Sequence, residues 1–185
     1  MSKIITVTGG ARSGKSSFGE ALLKKSTGKK GYIATATPFD DGMRERIKKH
    51  KNSRPKNWET FELPYEISSH IKEISVKCDI VILDCITVFS SNILFEKEYD
   101  WEKISYEKIS LLEEKIIEEI QQIVKIAKES DLALVIITNE VGSGIVPGNR
   151  LSRVYRDIAG RINQKLSQLS DEVYVTISGI PLKLK

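Results

Sequence analysis

Residues 9–16, Gly9-Gly10-Ala11-Arg12-Ser13-Gly14-Lys15-Ser16, fit the pattern G-x-x-x-x-G-K-[ST], and no other stretch constrains the chain as much. The run before it, residues 3–8 (KIITVT), is rich in β-branched residues and reads as a strand. The run after it, residues 16–25, reads as a helix. A strand, a glycine-rich turn and a helix in that order make a phosphate-binding loop. Glycines let backbone N–H groups turn inward onto phosphate oxygens, and the helix N-terminus adds partial positive charge. In this arrangement Lys15 reaches the terminal phosphates and the Ser16 hydroxyl ligates Mg²⁺. The competing reading is a glycine-rich turn followed by a chance Lys-Ser. The register of strand, loop and helix argues against it.

A nucleotide loop also needs an acid to hold the metal's water shell. Asp84 ends the apolar run Ile80-Val81-Ile82-Leu83 and is the candidate. That run and residues 132–138 (LALVIIT) are nearly continuous in apolar residues, as strands covered on both faces are. Residues 31–35 (GYIAT) read as a further strand. Residues 172–177 (EVYVTI) alternate, and Ser178-Gly179 and a short 182–185 run follow them, which predicts an edge hairpin. Leu112, Ile116, Ile120, Ile123 and Ala127 recur at helical spacing from Ile109 onward. Val154, Ile158, Ile162, Leu166 and Leu169 do so from Leu151, with Asn149 as the expected N-cap. Strands alternating with helices predict an α/β fold with a mostly parallel sheet flanked by helices. No repeat, low-complexity tract or linker divides the chain, so residues 1–185 are expected to form a single nucleotide-binding domain.

Composition narrows the class. The 185 residues are 40% hydrophobic with only 12 Gly and 5 Pro, which excludes collagen-like and disordered chains. The longest apolar run, residues 132–137, is far too short for a membrane span. The N-terminal MSKIITVTGG lacks a secretory signal's apolar stretch, so a cytoplasmic protein is expected. Cys78 and Cys85 have neither metal nor redox spacing and read as buried thiols.

The formal net charge is +4, but it is not spread evenly. Residues 43–58 (MRERIKKHKNSRPKNW) carry seven cations against the single acid Glu45, a net +6, which leaves the remainder of the chain at −2. A solvated helix face, a phosphate-rich ligand and nucleic acid are the three readings of such a run. His50 sits in its middle without nearby metal-ligating partners, which argues against a zinc site. Its cationic neighbours disfavour the imidazolium and keep the ring neutral and nucleophilic. They would also attract a polyphosphate and stabilise a pyrophosphate leaving group. Attack by His50 on a nucleotide phosphorus is therefore chemically reasonable, and an ordinary exposed histidine remains the alternative.

Downstream, Asn139-Glu140-Val141-Gly142-Ser143-Gly144 follows a strand. Open α/β sheets bind ligands at that end, and a plain connection is the other reading. Arg150, Arg153, Arg156 and Arg161 are expected to be solvated on a helix. Asp157-Ile158-Ala159-Gly160 matches D-x-x-G but falls within a helical pattern, and no N-K-x-D guanine motif is present.

Taken together these residues resemble the bifunctional adenosylcobinamide kinase/adenosylcobinamide-phosphate guanylyltransferases of cobalamin biosynthesis. The similar stretches are TGGARSGKS at 8–16, YIAT at 32–35, RIKKHKNSRPKNWET at 46–60, LDCIT at 83–87 and TNEVGSGIVPGNRLSRVYRDIAGRINQKL at 138–166. The ending EVYVTISGIPLKLK is similar too. The pattern H-x-x-x-R-P-x-x-W, here His50, Arg54, Pro55 and Trp58, is far more specific than the phosphate loop.

The resemblance implies a P-loop, RecA-like α/β fold and a homotrimer. It implies that a nucleoside triphosphate (GTP or ATP) phosphorylates the aminopropanol hydroxyl of adenosylcobinamide. GTP then guanylylates the histidine matching His50, and the GMP passes to adenosylcobinamide phosphate. Lys15 and His50 are the implied catalytic residues. The implied nucleotide contacts are Gly9, Gly10, Ala11, Arg12, Ser13, Gly14, Lys15, Ser16, Ala34, Thr35, Ala36, Lys51, Asn52, Ser53, Arg54, Glu62 and Asp84. Ser16 and Asp84 are the implied Mg²⁺ ligands. The implied partners are the small-molecule corrinoid and the nucleotides, with no nucleic acid and no membrane. A P-loop small-molecule kinase without guanylyl transfer, or a nucleotide-controlled binding protein, are the alternative functions.

Overall fold

The computed structural model describes residues 2–38, 42, 44, 45, 51, 55 and 57–185. Its strands are β1 (Ile4–Gly9), β2 (Lys30–Ala34), β3 (Glu59–Glu62), β4 (Ile80–Asp84), β5 (Ala133–Ile137), β6 (Glu172–Ile177) and β7 (Ile180–Lys183). They form one sheet in the order β3-β2-β4-β5-β1-β6-β7. Every neighbouring pair is parallel except β6–β7, which is the expected C-terminal hairpin. The fold is the α/β class read from the sequence, a mostly parallel sheet flanked by helices with a phosphate loop after β1 and an antiparallel edge hairpin.

The register positions the site. Val7 and Asp84 both pair with Ile137, while Ala34 pairs with Asp84 and with Glu62. The carboxyl ends of β3, β2, β4, β5 and β1 therefore come level at one edge. That is the edge where open α/β sheets bind ligands.

The strands are hydrophobic on both faces because both faces are covered. Ile4, Ile33, Val81, Leu83, Leu134 and Ile136 point to one side. There they meet α2 (Ile67–Lys77), α3 (Ile86–Leu94), α4 (Tyr106–Glu129) and α5 (Arg150–Leu169). Ile5, Val7, Tyr32, Ile82, Val135 and Ile137 point to the other side, where α1 (Lys15–Lys25) contributes Leu23, and Trp58 joins them. The alternation is the period of two that a strand imposes.

Three elements go beyond the sequence reading. β3 is only four residues, ETFE, with one apolar side chain. α3, ITVFSSNIL, is buried almost all round, Thr87, Ser90 and Asn92 included, and carries no amphipathic stripe to read. α2 does carry a stripe, Ile67, Ile71 and Ile74, but begins after Glu66, which provides no side-chain cap. α4 starts at Tyr106 rather than Ile109. Its first turn displays an exposed Tyr106, so the apolar periodicity begins one turn late. Ser105 caps it, its side chain accepting from the Lys108 N–H at 3.2 Å. Asn149 caps α5 as expected, Oδ1 accepting from the Ser152 N–H at 2.8 Å. The D-x-x-G at 157–160 lies inside α5.

Both cysteines are free and buried. Burial pushes the Cys78 thiol up to about 11 and raises that of Cys85, where the neighbouring Asp84 charge acts in the same direction.

Candidate active site

β1 delivers the chain into the phosphate loop at Gly9, and α1 receives it at Lys15. Gly14 occupies the position before the helix in a left-handed conformation, φ +97°, which glycine adopts without strain. The turn closes with the Ser13 N–H on the Gly10 carbonyl at 3.3 Å and the Phe18 N–H on the Gly14 carbonyl at 2.9 Å. Lys15 is buried, and its Nζ donates to the Gly10 carbonyl at 2.6 Å, so the ammonium lies over the loop rather than in solvent. A cleft of about 670 Å³ opens above this turn. Ala11 to Ser17 line it, together with Asp84, Cys85, Ile137 and Asn139 from the neighbouring strand ends.

Asp84 is held rather than loose. The buried Tyr32 hydroxyl donates to its Oδ2 at 2.7 Å. Fully buried Thr35 fixes the chain just beyond. Its hydroxyl donates to the Cys85 carbonyl and accepts from the Cys85 N–H, both at 2.9 Å, and its own N–H donates to the Asp84 carbonyl at 3.3 Å. Asn92 of α3, also buried, donates to the Thr35 carbonyl at 2.8 Å. Thr35 is thus committed to the backbone that presents Asp84.

Ser16 and Asp84 line the same cleft, and this pair suits Mg²⁺. The ion takes one or two protein oxygens and completes its shell from water and substrate phosphates. Among the described residues no cluster of three or more His, Cys, Asp or Glu could build an all-protein cage.

The loop after β5 is pinned at its root. The Asn139 N–H donates to the Thr87 hydroxyl at 2.9 Å, and Asn163 of α5 donates to the Asn139 carbonyl at 3.0 Å. The Glu140 N–H donates to the Gly9 carbonyl at 2.9 Å, joining this loop to the phosphate loop. The expectation of solvated arginines on α5 is corrected for Arg150 and Arg153, whereas Arg161 keeps a half-exposed side chain. Arg150 donates to the carbonyls of Trp101, Glu102 and Ile104, and Arg153 donates to those of Pro147 and Gly148. Arg161 makes a bidentate pair with Glu113 of α4, and Arg156 pairs with Asp157. A planar fork with five donors suits carbonyl clusters left by irregular backbone.

On the opposite flank Gly42 and Glu45 line the cleft. Lys51 pairs with Glu62 at the end of β3, 2.5 Å apart. Trp58 is only 7% exposed and packs with the sheet side chains Tyr32, Ala34 and Ile82. His50, Asn52, Ser53 and Arg54 lie outside the described residues. Ala34, Thr35, Ala36, Lys51 and Glu62 are not part of the cleft lining, although the sheet register brings Ala34 and Glu62 level with Asp84.

A sequence profile of the family described as cobinamide kinase / cobinamide phosphate guanyltransferase matches residues 5–184. The chain belongs to this family. A bifunctional adenosylcobalamin biosynthesis protein, CobU, of Salmonella typhimurium is 43% identical over 184 residues, which are 98% of this chain and 99% of that protein. The CobU protein of Escherichia coli is 40% identical over 182 residues, again 98% and 99%. The bifunctional CobP protein of Pseudomonas aeruginosa is 32% identical over 179 residues, 97% and 95%. Among solved structures, a KaiC-like protein of Pyrococcus horikoshii aligns at a TM-score of 0.49 and 13% identity, covering 94% of this chain and 70% of that one.

Within the kinase/guanyltransferase family frame, the phosphate loop, Ser16 and Asp84 meet around one cleft in this chain. Sequence reasoning missed Tyr32, Thr87 and Asn92 as supports of that cleft. Tyr32 and Thr87 stood inside the similar stretches YIAT and LDCIT, but nothing in the spacing announced a hydrogen bond to Asp84 or to Asn139. Asn92 sits in an unpatterned helix and had no signal at all.

Proposed function

We propose that this chain phosphorylates adenosylcobinamide and then guanylylates the product, with His50 carrying the GMP between GTP and the corrinoid. Membership in the kinase/guanyltransferase family makes the chain a cobinamide kinase and cobinamide phosphate guanylyltransferase of adenosylcobalamin biosynthesis. The observation that carries the chemistry is the single cleft above the phosphate loop, where Lys15, Ser16 and Asp84 converge.

In the first step the aminopropanol hydroxyl attacks the γ-phosphorus of ATP or GTP. A phosphorus–oxygen bond forms, the bond to the β-phosphate oxygen breaks, the hydroxyl proton passes to solvent, and the nucleoside diphosphate leaves. In the second step a neutral ring nitrogen of His50 attacks the α-phosphorus of GTP and pyrophosphate departs. In the third, a phosphate oxygen of adenosylcobinamide phosphate attacks the same phosphorus, the phosphorus–nitrogen bond breaks, and His50 regains its ring nitrogen. The loop N–H groups and Lys15 bind the phosphates and meet the charge that develops on the departing group. Arg12, Ser13, Lys51, Asn52, Ser53, Arg54, Glu62 and the 34–36 turn complete the proposed nucleotide contacts. Ser16 and Asp84 would hold Mg²⁺, which offsets charge on the phosphate oxygens when bound.

We further propose a single domain over 1–185, a homotrimer and a cytoplasmic location. The exposed apolar side chains Ile177, Ile180, Leu182 and Leu184 offer a surface another copy could cover. No helix among the described residues is long and apolar enough to cross a membrane. GTP labelled at the α-phosphate should leave an acid-labile label on the wild-type protein, and the label should be discharged by adenosylcobinamide phosphate. Label retained in His50→Ala overturns the covalent assignment. Product phosphate without any protein label would favour a kinase alone.

A further inference from the structure

The β6–β7 hairpin touches the phosphate loop, and neither the loop motif nor the proposed chemistry gives it a role. Ser178 and Gly179 both have positive φ, +50° and +84°, and join strands in which Ile177 pairs with Ile180. That is the two-residue turn whose twist matches a hairpin, so its backbone direction is well defined. The turn points its Gly179 N–H at the Ser13 carbonyl, 2.9 Å away. One step earlier on β6, the Thr176 hydroxyl lies 2.8 Å from the Ser13 hydroxyl, with both residues buried. It also lies 3.4 Å from the Thr8 carbonyl.

The steric fit is as close as the hydrogen bonding. A Cβ on Gly9 would come within 2.5 Å of the Thr176 carbonyl oxygen and 2.7 Å of its hydroxyl. A Cβ on Gly14 would stand 3.1 Å from the Gly179 Cα. Three loop residues, Gly9, Ser13 and Gly14, are therefore shaped against two hairpin residues more than 160 positions away in sequence. Ser13's own N–H already closes the turn on Gly10, so the hairpin satisfies its two remaining polar groups.

We propose that Thr176 and Gly179 are positioning residues for nucleotide binding: the C-terminal hairpin clamps Ser13 and sets the curvature of the phosphate loop. A loop that presents its N–H groups to phosphate gains affinity when it is held in the binding shape beforehand, because less ordering remains to be done on binding. The clamp uses neutral donors and acceptors, the Ser13 and Thr176 hydroxyls buried, so it works without adding charge beside the phosphates. This inference rests on the proposed use of that loop for GTP, but not on the covalent step at His50.

The test is equilibrium binding of magnesium-GTP to the full chain, with steady-state kinetics of both reactions. Thr176→Val keeps the shape and removes the hydroxyl. We expect about tenfold weaker GTP binding, the effect of one lost buried hydrogen bond. The KM for GTP should rise accordingly, while the KM for adenosylcobinamide phosphate stays unchanged. Thr176→Ser should restore GTP affinity. A folded Thr176→Val with wild-type GTP affinity overturns the clamp. So does Thr176→Ser binding as weakly as the valine variant, because methyl packing rather than the hydroxyl would then matter. Should the valine variant fail to fold, Gly179→Ala serves instead. Its Cβ meets nothing within 4 Å, but the positive φ is strained, and the N–H to Ser13 shifts. About threefold weaker GTP binding is expected there, in keeping with a distorted rather than lost hydrogen bond, and no change would count against the clamp. Wild-type protein that binds GTP yet takes no α-phosphate label would remove the His50 assignment and leave the clamp standing.

Discussion

The two flanks of the cleft are anchored by opposite means. On one side, Ser13 meets Thr176 through a pair of buried neutral hydroxyls at 2.8 Å. On the other, Lys51 meets Glu62 through a full ion pair at 2.5 Å, but their side chains are 47% and 59% exposed. The shorter contact is the weaker anchor. Water and salt screen the exposed charges, and two long side chains lose rotamer freedom to hold one geometry. The buried hydroxyls have no solvent to return to, so losing one leaves the other unsatisfied. The phosphate loop is therefore held by contacts that salt does not screen, whereas the Lys51–Glu62 pair lies open to water and salt. What anchors the cationic flank firmly is Trp58, which closes the H-x-x-x-R-P-x-x-W pattern from inside the core.

The largest expected effect breaks that anchor. Trp58→Ala removes a nearly buried indole from the layer formed with Tyr32, Ala34 and Ile82. Truncations of this kind cost about 3–5 kcal/mol. Urea unfolding should report a midpoint lowered to that extent. An unfolding free energy within about 1 kcal/mol of the wild type would show that the indole does not anchor this flank.

Much of this division was legible beforehand, and its limits are physical. The phosphate loop could be read because it needs backbone conformations and a cation that few residues supply. Asp84 could be read because a polar residue ending an apolar strand is conspicuous. α4 and α5 announced themselves through long apolar periodicity, whereas β3 offers one apolar side chain and α3 buries polar and apolar residues alike. The roles of Thr176 and Thr35 could not be read, because a threonine in a strand is ordinary until the sheet places it against a distant loop. The arginines of α5 misled for a related reason. The partners of Arg150 and Arg153 are backbone carbonyls, which leave no mark in side-chain patterning.

A middle-sized effect tests what keeps the clamp's own hairpin in place. Glu172, at the start of β6, accepts from Lys183 of β7 at 2.7 Å and pairs with Lys3 at 2.8 Å. The Lys183 and Lys3 ammonium groups hold its carboxyl down at about 2. A carboxyl depressed in the folded state stabilises above its ordinary range, near 4.5, and loses that contribution as pH falls towards 2. Thermal midpoints recorded between pH 6 and pH 2 should fall more steeply for the wild type than for Glu172→Gln, whose amide cannot titrate. Superimposable profiles would mean that Glu172 does not tie β7 to β6 and β1.

The smallest effect bears most directly on the contrast between the flanks. A double-mutant cycle of Lys51→Gln and Glu62→Gln should give a coupling energy of no more than about 0.5 kcal/mol, and less in 1 M salt, as exposed ion pairs do. The corresponding cycle of Ser13→Ala and Thr176→Val should give about 1 kcal/mol with no salt dependence, because a buried neutral pair has nothing for ions to screen. The difference in salt response matters more than the difference in size. Distance alone would rank the lysine–glutamate pair first, and only burial reverses that order. A salt-resistant coupling above 1 kcal/mol between Lys51 and Glu62 would place both flanks under the same kind of constraint.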